Sequence, residues 1–473
     1  MGFVDELRGV LGSDRVKDHP LELHIYDKDA GVTRGPVTAV ALPETTEETA
    51  HCVRTARRWD VPIVARGAGT GLAGGAVPTQ PGLLVVMTRM NEIWEVDAEN
   101  RTAWVGPGVL NLDLSVHTAP LGLHYAPDPS SQSVCTVGGN VGSNAVGPHC
   151  LADGTTVAHF LEIEMVTFDG DVVVLGGPAP DPIGLDLRAV VVGSEGTMGI
   201  VTRILVRLTE TPPAEQTLLM AFAQIEDAAA TVSGIIAAGV VPAALEMMDR
   251  PMVRAVENFV GAGYPTDAAA VLLAEVSGHP AAVAAEAAVV AAVAAEQGAT
   301  EVRVAADDEE RRLLWLGRKS AFGAVAQAAP DYYLHDTVVP RTRLVGVLTQ
   351  VYEIAARHDL AMLNVFHAGD GNLHPLVAFD AKESGVLDRV RSAAEEMVRI
   401  SIEAGGTLSG EHGIGLEKRD LMGEVFAPVD LDAQARLRDA FDPHGALNPG
   451  KILPAGSRCY DFGMRSDRGG EPT

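Results

Sequence analysis

The sequence predicts an α+β fold in two main domains. Its 473 residues exceed the roughly 100–200 that one domain usually holds, so more than one core is expected. The first half is rich in short strand-like segments bounded by turn residues, whereas the second half alternates alanine-rich helical segments with strands. Paired prolines, Pro212 and Pro213, separate the two patterns. We therefore predict domains over 1–213 and 214–440, followed by a C-terminal segment, 441–473, that returns to the first domain.

The elements of the first domain follow from periodicity and from the turn residues around each segment. Met1–Val16 is expected to hold a short helix, and Thr45–Arg58 is expected to be helical. Strands are predicted at Val37–Leu42, Val61–Val64, Gly82–Met87, Ile93–Asp97, Thr102–Val105, Leu161–Thr167, Val172–Val174 and Gly199–Leu208, and in the second domain at Ala270–Val276. From Gly82 onward no regular helices are expected between these strands.

The composition is that of a globular protein and argues against nucleic acid as a partner. Hydrophobic residues make up 47% and charged residues 21% of the chain. The 36 basic and 63 acidic residues give a formal charge of −27, which repels phosphate backbones and anionic lipid headgroups. An anionic substrate would therefore need positive charge close to its binding site.

The chain shows no targeting, transmembrane or disulfide pattern. Met1–Val16 lacks the apolar centre of a signal peptide, and the apolar stretch Ala281–Ala295 is too short for a span and contains Glu286. The cysteines, Cys52, Cys135, Cys150 and Cys459, have no CxxC spacing. We therefore expect a cytoplasmic protein that reaches a membrane only through an electron-acceptor partner. The oligomeric state stays open, a homodimer included.

A glycine-rich loop at Arg66–Pro78 contains the GxGxxG spacing at Gly69, Gly71 and Gly74. In a Rossmann turn this spacing opens a helix whose N-terminus faces a pyrophosphate, but here Pro78 follows almost at once. We therefore predict a nest of backbone N–H groups that cradles an anion without a helix. A turn that serves only chain geometry is the alternative.

Two further small, glycine-rich segments suggest that several loops share one ligand. Pro127–Ser131 leads into Cys135–Gly147, and Val191–Thr202 adds a third segment beside a strand. Each could be a tight turn by itself. Together they let backbone approach a flat, extended molecule such as a flavin dinucleotide.

These segments, RGAGTGLAGG, PDPSS with the following GGN and SNA, and GSEGTMGIVT, resemble the FAD-binding domain of the vanillyl-alcohol oxidase superfamily, also called PCMH-type. The resemblance continues through HAGDGNLHP, SGEHGIG and NPGKI, which are similar to the branch of glycolate oxidase large subunits, D-lactate dehydrogenases and D-2-hydroxyglutarate dehydrogenases. It covers nearly the whole chain. It implies a two-lobed FAD domain, an antiparallel-sheet α+β cap, and non-covalent FAD at their interface.

The cofactor-binding residues that the loops and the resemblance imply lie in four segments. They are Arg66, Gly67, Ala68, Gly69, Thr70, Gly71 and Leu72; Pro127, Asp128, Ser130, Ser131, Thr136, Gly138, Gly139, Asn140, Gly142, Ser143 and Asn144; Gly193, Glu195, Gly196, Ile200 and Val201; and Asn448.

A divalent-metal site is predicted at His367, His374 and Glu411. Asp370–Gly371 is a favoured two-residue hairpin turn, which would place His367 directly opposite His374 with Cβ atoms roughly 4.5–5.5 Å apart. Glu411, in a glycine-flanked turn, offers the third ligand and leaves coordination positions open for a substrate. Zinc is favoured, with manganese or iron as alternatives. A hydrogen-bonded core histidine is the alternative for either imidazole.

His412 is predicted to be the general base. Neighbouring side chains on an extended segment point to opposite sides, so Glu411 and His412 are not expected to bind one ion. An imidazole with an ordinary pKa of about 6.5 suits proton removal near neutral pH. It would take the hydroxyl proton of a metal-chelated 2-hydroxy acid while the C2 hydride moves to flavin N5.

Two further residues are predicted to contact substrate because their segments resemble the family's substrate-binding regions. Arg318 is suited to a bidentate grip on a carboxylate, with a solvated helix arginine as the alternative. Tyr333 is the second. Leu334 and Leu376 stand where dicarboxylate-oxidising relatives have polar residues, so D-lactate or glycolate is favoured and D-2-hydroxyglutarate comes next.

The flavin would need an external electron acceptor, because the cysteines cannot hold an iron–sulfur cluster in this chain. A quinone, a cytochrome, an electron-transfer flavoprotein or an iron–sulfur subunit would serve, and the sequence does not select among them. Two alternative functions stay open. The chain could be an FAD-binding subunit of a multi-subunit glycolate oxidase complex, or a metal-dependent hydrolase if it binds no flavin.

Overall fold

A computed structural model gives the fold over residues 2–179 and 184–454. Up to residue 210 the strands are β1 (Val16–Lys17), β2 (Val37–Ala41), β3 (Ile63–Arg66), β4 (Gly82–Val86), β5 (Ile93–Asp97), β6 (Thr102–Val105), β7 (Leu123–His124), β8 (Phe160–Val166), β9 (Val172–Gly176), β10 (Ile200–Arg207) and β11 (Thr209–Glu210). The helices over the same stretch are α1 (Phe3–Leu11), α2 (Pro20–Tyr26), α3 (Thr46–Arg58), α4 (Asn111–Thr118), α5 (Val137–Ser143), α6 (Cys150–Asp153) and α7 (Leu187–Val191).

Every predicted strand is present, and its ends lie within two residues of the prediction. The helix α3 begins where Thr45 caps it, because the Thr45 hydroxyl accepts a hydrogen bond from the Glu48 amide at 3.2 Å. The expectation that no regular helices separate the later strands was wrong. Helices α4, α5 and α6 lie between β6 and β8, where glycine and small residues obscured the helical pattern.

The first half forms two main sheets. In one, the strand order is β1-β2-β4-β3, with β2, β4 and β3 parallel, and in the other, an antiparallel sheet, the order is β5-β6-β10-β8-β9. The chain returns to the first sheet near its C-terminus, where Leu447 forms a parallel bridge with Ile63. The part of the predicted segment 441–473 beyond residue 454 lies outside the described residues.

From residue 214 the strands are β12 (Ala214–Phe222), β13 (Ala244–Asp249), β14 (Ala270–Gly278), β15 (Ala299–Val304), β16 (Asp331–Leu334), β17 (Thr337–Val338), β18 (Ala361–His367), β19 (Asn372–Leu373) and β20 (Pro375–Phe379). The helices are α8 (Ile225–Ala237), α9 (Arg250–Val260), α10 (Pro280–Glu296), α11 (Asp308–Lys319), α12 (Ala321–Ala328), α13 (Leu344–Arg357), α14 (Val386–Glu403), α15 (Met422–Val425) and α16 (Pro428–Phe441).

These strands join in a large antiparallel sheet with helices on both faces. Its main path runs β15-β12-β14-β13-β18-β19-β17, and β20 pairs with both β18 and β16. Alternate residues of β12 belong to different cores, since Leu218 and Met220 pack on one face and Leu219 on the other. A strand whose two faces are both buried has a continuous apolar sequence, as Leu218–Phe222 of β12 does.

No helix among the described residues combines the length and apolarity that a membrane crossing requires. Cys52, Cys135 and Cys150 are buried and free, and Cys459 lies outside the described residues.

Candidate active site

A cavity of about 440 Å³ lies where the three glycine-rich segments meet. Its volume falls within the roughly 300–1,000 Å³ typical of small-molecule sites. Predicted cofactor residues that line it are Arg66, Gly67, Ala68, Gly69, Thr70, Gly71, Leu72, Ser130, Ser131, Thr136, Gly138, Gly139, Asn140, Gly142, Ser143, Glu195, Gly196, Ile200 and Val201. The separate segments therefore do converge on one space.

The first loop has the predicted form, because no helix begins between Gly67 and Gly75. The second segment differs from the prediction of a loop, since α5 forms there with Thr136 as its N-cap. Glycine is needed for the two segments to meet. A Cβ on Gly67 would lie 2.4 Å from the Thr136 hydroxyl of the second segment. Gly138 packs instead against the connection between β6 and α4, where a Cβ would lie 2.5 Å from Pro107 Cβ.

Asn448 does not line the cavity, contrary to the prediction. It is fully buried, and its amide donates hydrogen bonds to the carbonyls of Gly75 at 2.7 Å and Glu195 at 2.6 Å. It therefore fastens the first and third glycine segments to each other. The Asn448 side chain therefore shapes the loops beside the cavity and does not form its wall.

Four more predicted cofactor residues also lie outside the cavity wall: Pro127, Asp128, Asn144 and Gly193. Asn144 accepts a hydrogen bond from the Val157 amide at 2.9 Å, and its positive φ of 52° ends α5. Pro127 accepts a hydrogen bond from Asn111 of α4, Asp128 contacts His149, and the Gly193 amide donates to the Val141 carbonyl of α5. Backbone placement, which the sequence pattern does not reveal, separates these residues from the wall.

At one end of the cavity lies a cluster of imidazoles and a carboxylate. Glu411 and His412 line the cavity, and His367 and His374 lie next to Glu411. Ligand atoms of His367, His374 and Glu411 all lie within 4.8 Å of one another. His374 Nε2 lies 3.0 Å from a Glu411 oxygen, yet it is buried and makes no hydrogen bond. A buried imidazole nitrogen directed at a carboxylate without bonding it fits a shared cation.

The predicted hairpin register was wrong by two residues. His367 pairs with Asn372, because the turn contains four residues, Ala368 to Gly371. A shift of two residues keeps every side chain on its original face of the sheet. The two histidine rings therefore still meet, with centroids 5.2 Å apart.

Asp336 fixes the loop that carries Glu411 and His412. Its carboxylate, which is completely buried, accepts hydrogen bonds from the amides of Gly410 at 3.0 Å and His412 at 3.1 Å. It also accepts one from Lys418 Nζ at 3.1 Å. Burial by itself would raise the pKa of Asp336, but Lys418, His412 and His374 together outweigh burial and hold that pKa well below its ordinary range. Sequence reasoning missed this residue.

The loop is bent rather than extended, so Glu411 and His412 do not point to opposite sides as expected. His412 Nε2 lies 3.4 Å from Glu411 Oε1, and its ring stacks on that of His374 with a centroid distance of 5.2 Å. Burial alone would raise the pKa of Glu411, but the neighbouring imidazoles outweigh burial and lower it. Burial also lowers the pKa of His374, which favours the neutral form that binds metals.

Arg318, which was predicted to contact substrate, does not line the cavity. It is 1% exposed, and its guanidinium donates to Glu246 at 2.8 Å. The other Glu246 oxygen lies 2.7 Å from Nδ1 of His367. His367 is the residue of β18 that pairs with Glu246 of β13 across the sheet. A carboxylate behind a ligating histidine fixes its tautomer and orientation. The signal for Glu246 was an acidic residue between the apolar residues Leu245 and Met247 of β13.

Tyr333 also faces away from the cavity. Neighbouring residues of a strand point to opposite sides, so Tyr332 and Leu334 line the cofactor cavity while Tyr333 lines a second one. Phe322, on α12, also lines the cofactor cavity. Leu376 is fully buried in a core with Leu334.

Comparisons with known families agree with this architecture. The model of the FAD binding domain matches residues 37–176, and the model of the C-terminal domain of FAD linked oxidases matches residues 211–452. Glycolate oxidase subunit GlcD of Escherichia coli is 46% identical over 90% of this chain and 85% of its own. The chain belongs to the FAD-linked oxidases.

Other relatives and solved structures extend this family assignment. Glycolate oxidase subunit GlcD of Bacillus subtilis is 38% identical over 96% of this chain and 97% of its own. D-lactate dehydrogenase of Anaerostipes hadrus is 33% identical over 88% of each chain. The 4-ethylphenol oxidase of Gulosibacter chungangensis, at 20% identity, superposes with a TM-score of 0.81 over 96% of this chain and 97% of its own. The fold is therefore PCMH-type, as the resemblance implied.

This FAD-linked oxidoreductase has a cavity that suits a flavin dinucleotide. Gly142 lines it, and a Cβ on Gly142 would meet no atom within 4 Å, so any side chain there would enter the open space. FAD binding contradicts the hydrolase alternative, which required a protein without flavin.

Proposed function

We propose that this FAD-linked oxidase converts a small D-2-hydroxy acid to the corresponding 2-oxo acid. The observation that carries the proposal is the position of Glu411 and His412, which line the cofactor cavity while His367 and His374 lie beside Glu411. A substrate held at this end of the cavity would contact both the flavin site and the cluster. The names of the glycolate oxidase and D-lactate dehydrogenase relatives support the same class of substrate.

The proposal includes two cofactors. Non-covalently bound FAD, when present, accepts a hydride from carbon. A divalent cation at His367, His374 and Glu411 would supply positive charge for an α-hydroxy carboxylate. Zinc is favoured because it commonly takes two imidazoles and a carboxylate, with manganese or iron as alternatives. Glu246 orients His367 toward the cluster through the contact at Nδ1.

His412 is proposed to remove the C2 hydroxyl proton. Its side chain is partly accessible within the cavity, and Asp336 holds its backbone amide at 3.1 Å. Its ring stacks on the His374 ring with a centroid distance of 5.2 Å. Loss of this proton as the hydride leaves C2 yields the 2-oxo acid.

D-lactate or glycolate is the proposed substrate, with D-2-hydroxyglutarate next. Leu334, Tyr332 and Phe322 line this cavity, and Arg318 is paired with Glu246. A second carboxylate would meet an apolar side chain at Leu334 and would lack a partner for its charge. The cation would then provide positive charge for the substrate carboxylate in a chain whose net charge is −27.

We further propose an external electron acceptor. A multi-subunit complex is a second candidate for how this chain works, because two relatives are named as subunits of glycolate oxidase. In either case the protein would be cytoplasmic and would reach a membrane only through its acceptor partner.

The test is an anaerobic visible spectrum of the FAD-loaded protein with D-lactate, glycolate and D-2-hydroxyglutarate added separately. We expect D-lactate or glycolate to bleach the flavin band, and D-2-hydroxyglutarate to do so more slowly. L-lactate is the matched control and should leave the band unchanged. Persistence of the oxidised band with all three acids would refute 2-hydroxy-acid oxidation.

A further inference from the structure

A second cavity, of about 250 Å³, lies behind strand β16. It is smaller than the roughly 300–1,000 Å³ of drug-sized ligand sites, so it suits a single ring. Much of its wall is apolar and includes Phe379, Val390, Val398 and Leu421. The rest of the wall is mostly polar or charged and includes Tyr333, His335, Arg391, Glu395, Glu417 and Lys418.

His335 is the feature that points to a ligand. It is 1% exposed and lines the cavity, and neither ring nitrogen has a hydrogen-bond partner. In either protonation state an imidazole offers at least one N–H donor. Buried polar groups without partners are uncommon in native proteins, so a ligand with a ring-bound oxygen is favoured here.

The two cavities are separated by the thickness of a single strand. Tyr332 and Leu334 face the cofactor cavity, whereas Tyr333 and His335 face the second one. The loop that carries His412 on the cofactor side continues to Leu416 and Lys418 on the other side. A molecule in the second cavity would therefore lie close to the flavin without entering the substrate site.

The reduced flavin needs an electron acceptor from outside the chain, because the cysteine spacing of this sequence does not predict an iron–sulfur cluster. Iron–sulfur clusters require sets of cysteine ligands, and the four cysteines of this sequence lack that spacing. The electrons taken from a substrate must therefore leave to a separate acceptor.

We propose that the second cavity binds the ring of a para-quinone, with a quinone oxygen accepting a hydrogen bond from His335. The two-electron-reduced flavin returns to its oxidised form by giving two electrons and two protons to the quinone, which leaves as the quinol. The apolar wall contacts the carbon skeleton of the ring and the start of its tail. This role rests on the proposed function only in requiring a reduced flavin.

The experiment measures flavin reoxidation alone. The FAD-loaded protein is photoreduced without oxygen, so no 2-hydroxy acid is needed, and is then mixed in a stopped-flow instrument with ubiquinone-1 or with ferricyanide. Two variants alter the cavity: His335→Phe removes the hydrogen bond, and Ala394→Phe fills the space. Ser392→Phe, on an exposed position of the same helix, is the matched control. Calorimetric titration of the oxidised proteins with ubiquinone-1 measures binding directly.

We expect both cavity variants to slow reoxidation by subsaturating ubiquinone-1 and to weaken its binding by about tenfold or more. Ferricyanide should reoxidise all four proteins at similar rates. Wild-type rates with ubiquinone-1 in both cavity variants would overturn the proposal, as would equal losses with both oxidants. A protein that no 2-hydroxy acid reduces, but whose quinone step responds to these variants, would contradict the proposed function and leave the quinone site supported.

Discussion

The cofactor cradle and the histidine–glutamate cluster are neighbours that are built in opposite ways. The cradle consists of three glycine-rich segments whose backbone forms much of the wall, and Gly67 and Gly138 have no space for a side chain. The cluster consists of side chains positioned by buried carboxylates, with Glu246 behind His367 and Asp336 under the Glu411 loop. A larger side chain should therefore disrupt the cradle, whereas a change of charge or of functional group should disrupt the cluster.

The largest effect is expected at Asp336. Asp336→Asn leaves Lys418 buried without its charged partner, and removing one member of a buried ion pair costs about 3–5 kcal/mol. Denaturant unfolding should show that loss in the free energy of unfolding. The control is Asp267→Asn, because Asp267 is fully exposed and its nearest cation is 3.8 Å away. Equal stabilities for the two variants would contradict the anchoring role of Asp336.

His412 is expected to affect chemistry without affecting cofactor content. His412→Asn should slow flavin reduction by the active 2-hydroxy acid by about 10²-fold or more, since general-base catalysis typically contributes that much. Bound FAD and metal, measured by absorbance and elemental analysis, should be unchanged. His117→Asn, at an exposed helix position, is the control. A variant that reduces its flavin at the wild-type rate would exclude His412 as the base.

The cradle should respond to a single added methyl group. Gly138→Ala places a Cβ 2.8 Å from the Pro107 carbonyl oxygen, and overpacking of this kind costs about 1–3 kcal/mol. FAD affinity, measured by fluorescence titration of the apoprotein, should fall by about tenfold. Gly177→Ala is the control, because a Cβ there would meet no atom within 4 Å. Equal affinities in the two variants would remove the steric account of the cradle.

The smallest effect concerns the contact between the two halves of the chain. His149 lies between Asp128, 2.8 Å from Nδ1, and Glu275, 3.3 Å from Nε2. Burial opposes a charge on His149, but Asp128 and Glu275 together outweigh burial and raise the pKa of His149 well above 6.5. Burial likewise opposes a charge on Glu275, but its hydrogen bond with His149 helps to lower the pKa of Glu275 to about 2.

The sign of the pH dependence follows from these shifts. The His149 contribution is complete below pH 6.5 and is lost as pH rises through its higher folded-state pKa. The Glu275 contribution is present above pH 4.5 and is lost as pH falls toward 2. In thermal unfolding, the free energy by which wild type is more stable than His149→Gln should therefore be greatest between pH 4.5 and pH 6.5, on the order of 1 kcal/mol. A difference that does not change with pH would contradict the ion-pair account.

The sequence predicted what depends on local patterns. Strand bounds follow from alternation and turns, and the clustering of His367, His374 and Glu411 survived a wrong register because a two-residue shift preserves the face of the sheet. Tyr333 was predicted to contact substrate, but it lines the second cavity, and its neighbour Tyr332 lines the cofactor cavity.

Long-range partners could not be predicted from the sequence. Glu246 lies 121 residues from His367 in the chain. It accepts a hydrogen bond from the guanidinium of Arg318, which was predicted to contact substrate. Asn448 reaches loops more than 250 residues away in the chain. Such contacts depend on strand order and on the return of the C-terminal segment, which local periodicity does not encode.

The most direct test of the account separates the cradle from the cluster in one protein. The FAD-loaded enzyme is treated with a chelator, its flavin content is measured, and anaerobic flavin reduction by the active 2-hydroxy acid is followed before treatment, after treatment and after addition of zinc. We expect the flavin to stay bound, its reduction by the acid to be lost on chelation, and that reduction to return with zinc. Undiminished flavin reduction in a protein shown to be free of metal would contradict the claim that the cluster, with its cation, carries the oxidation.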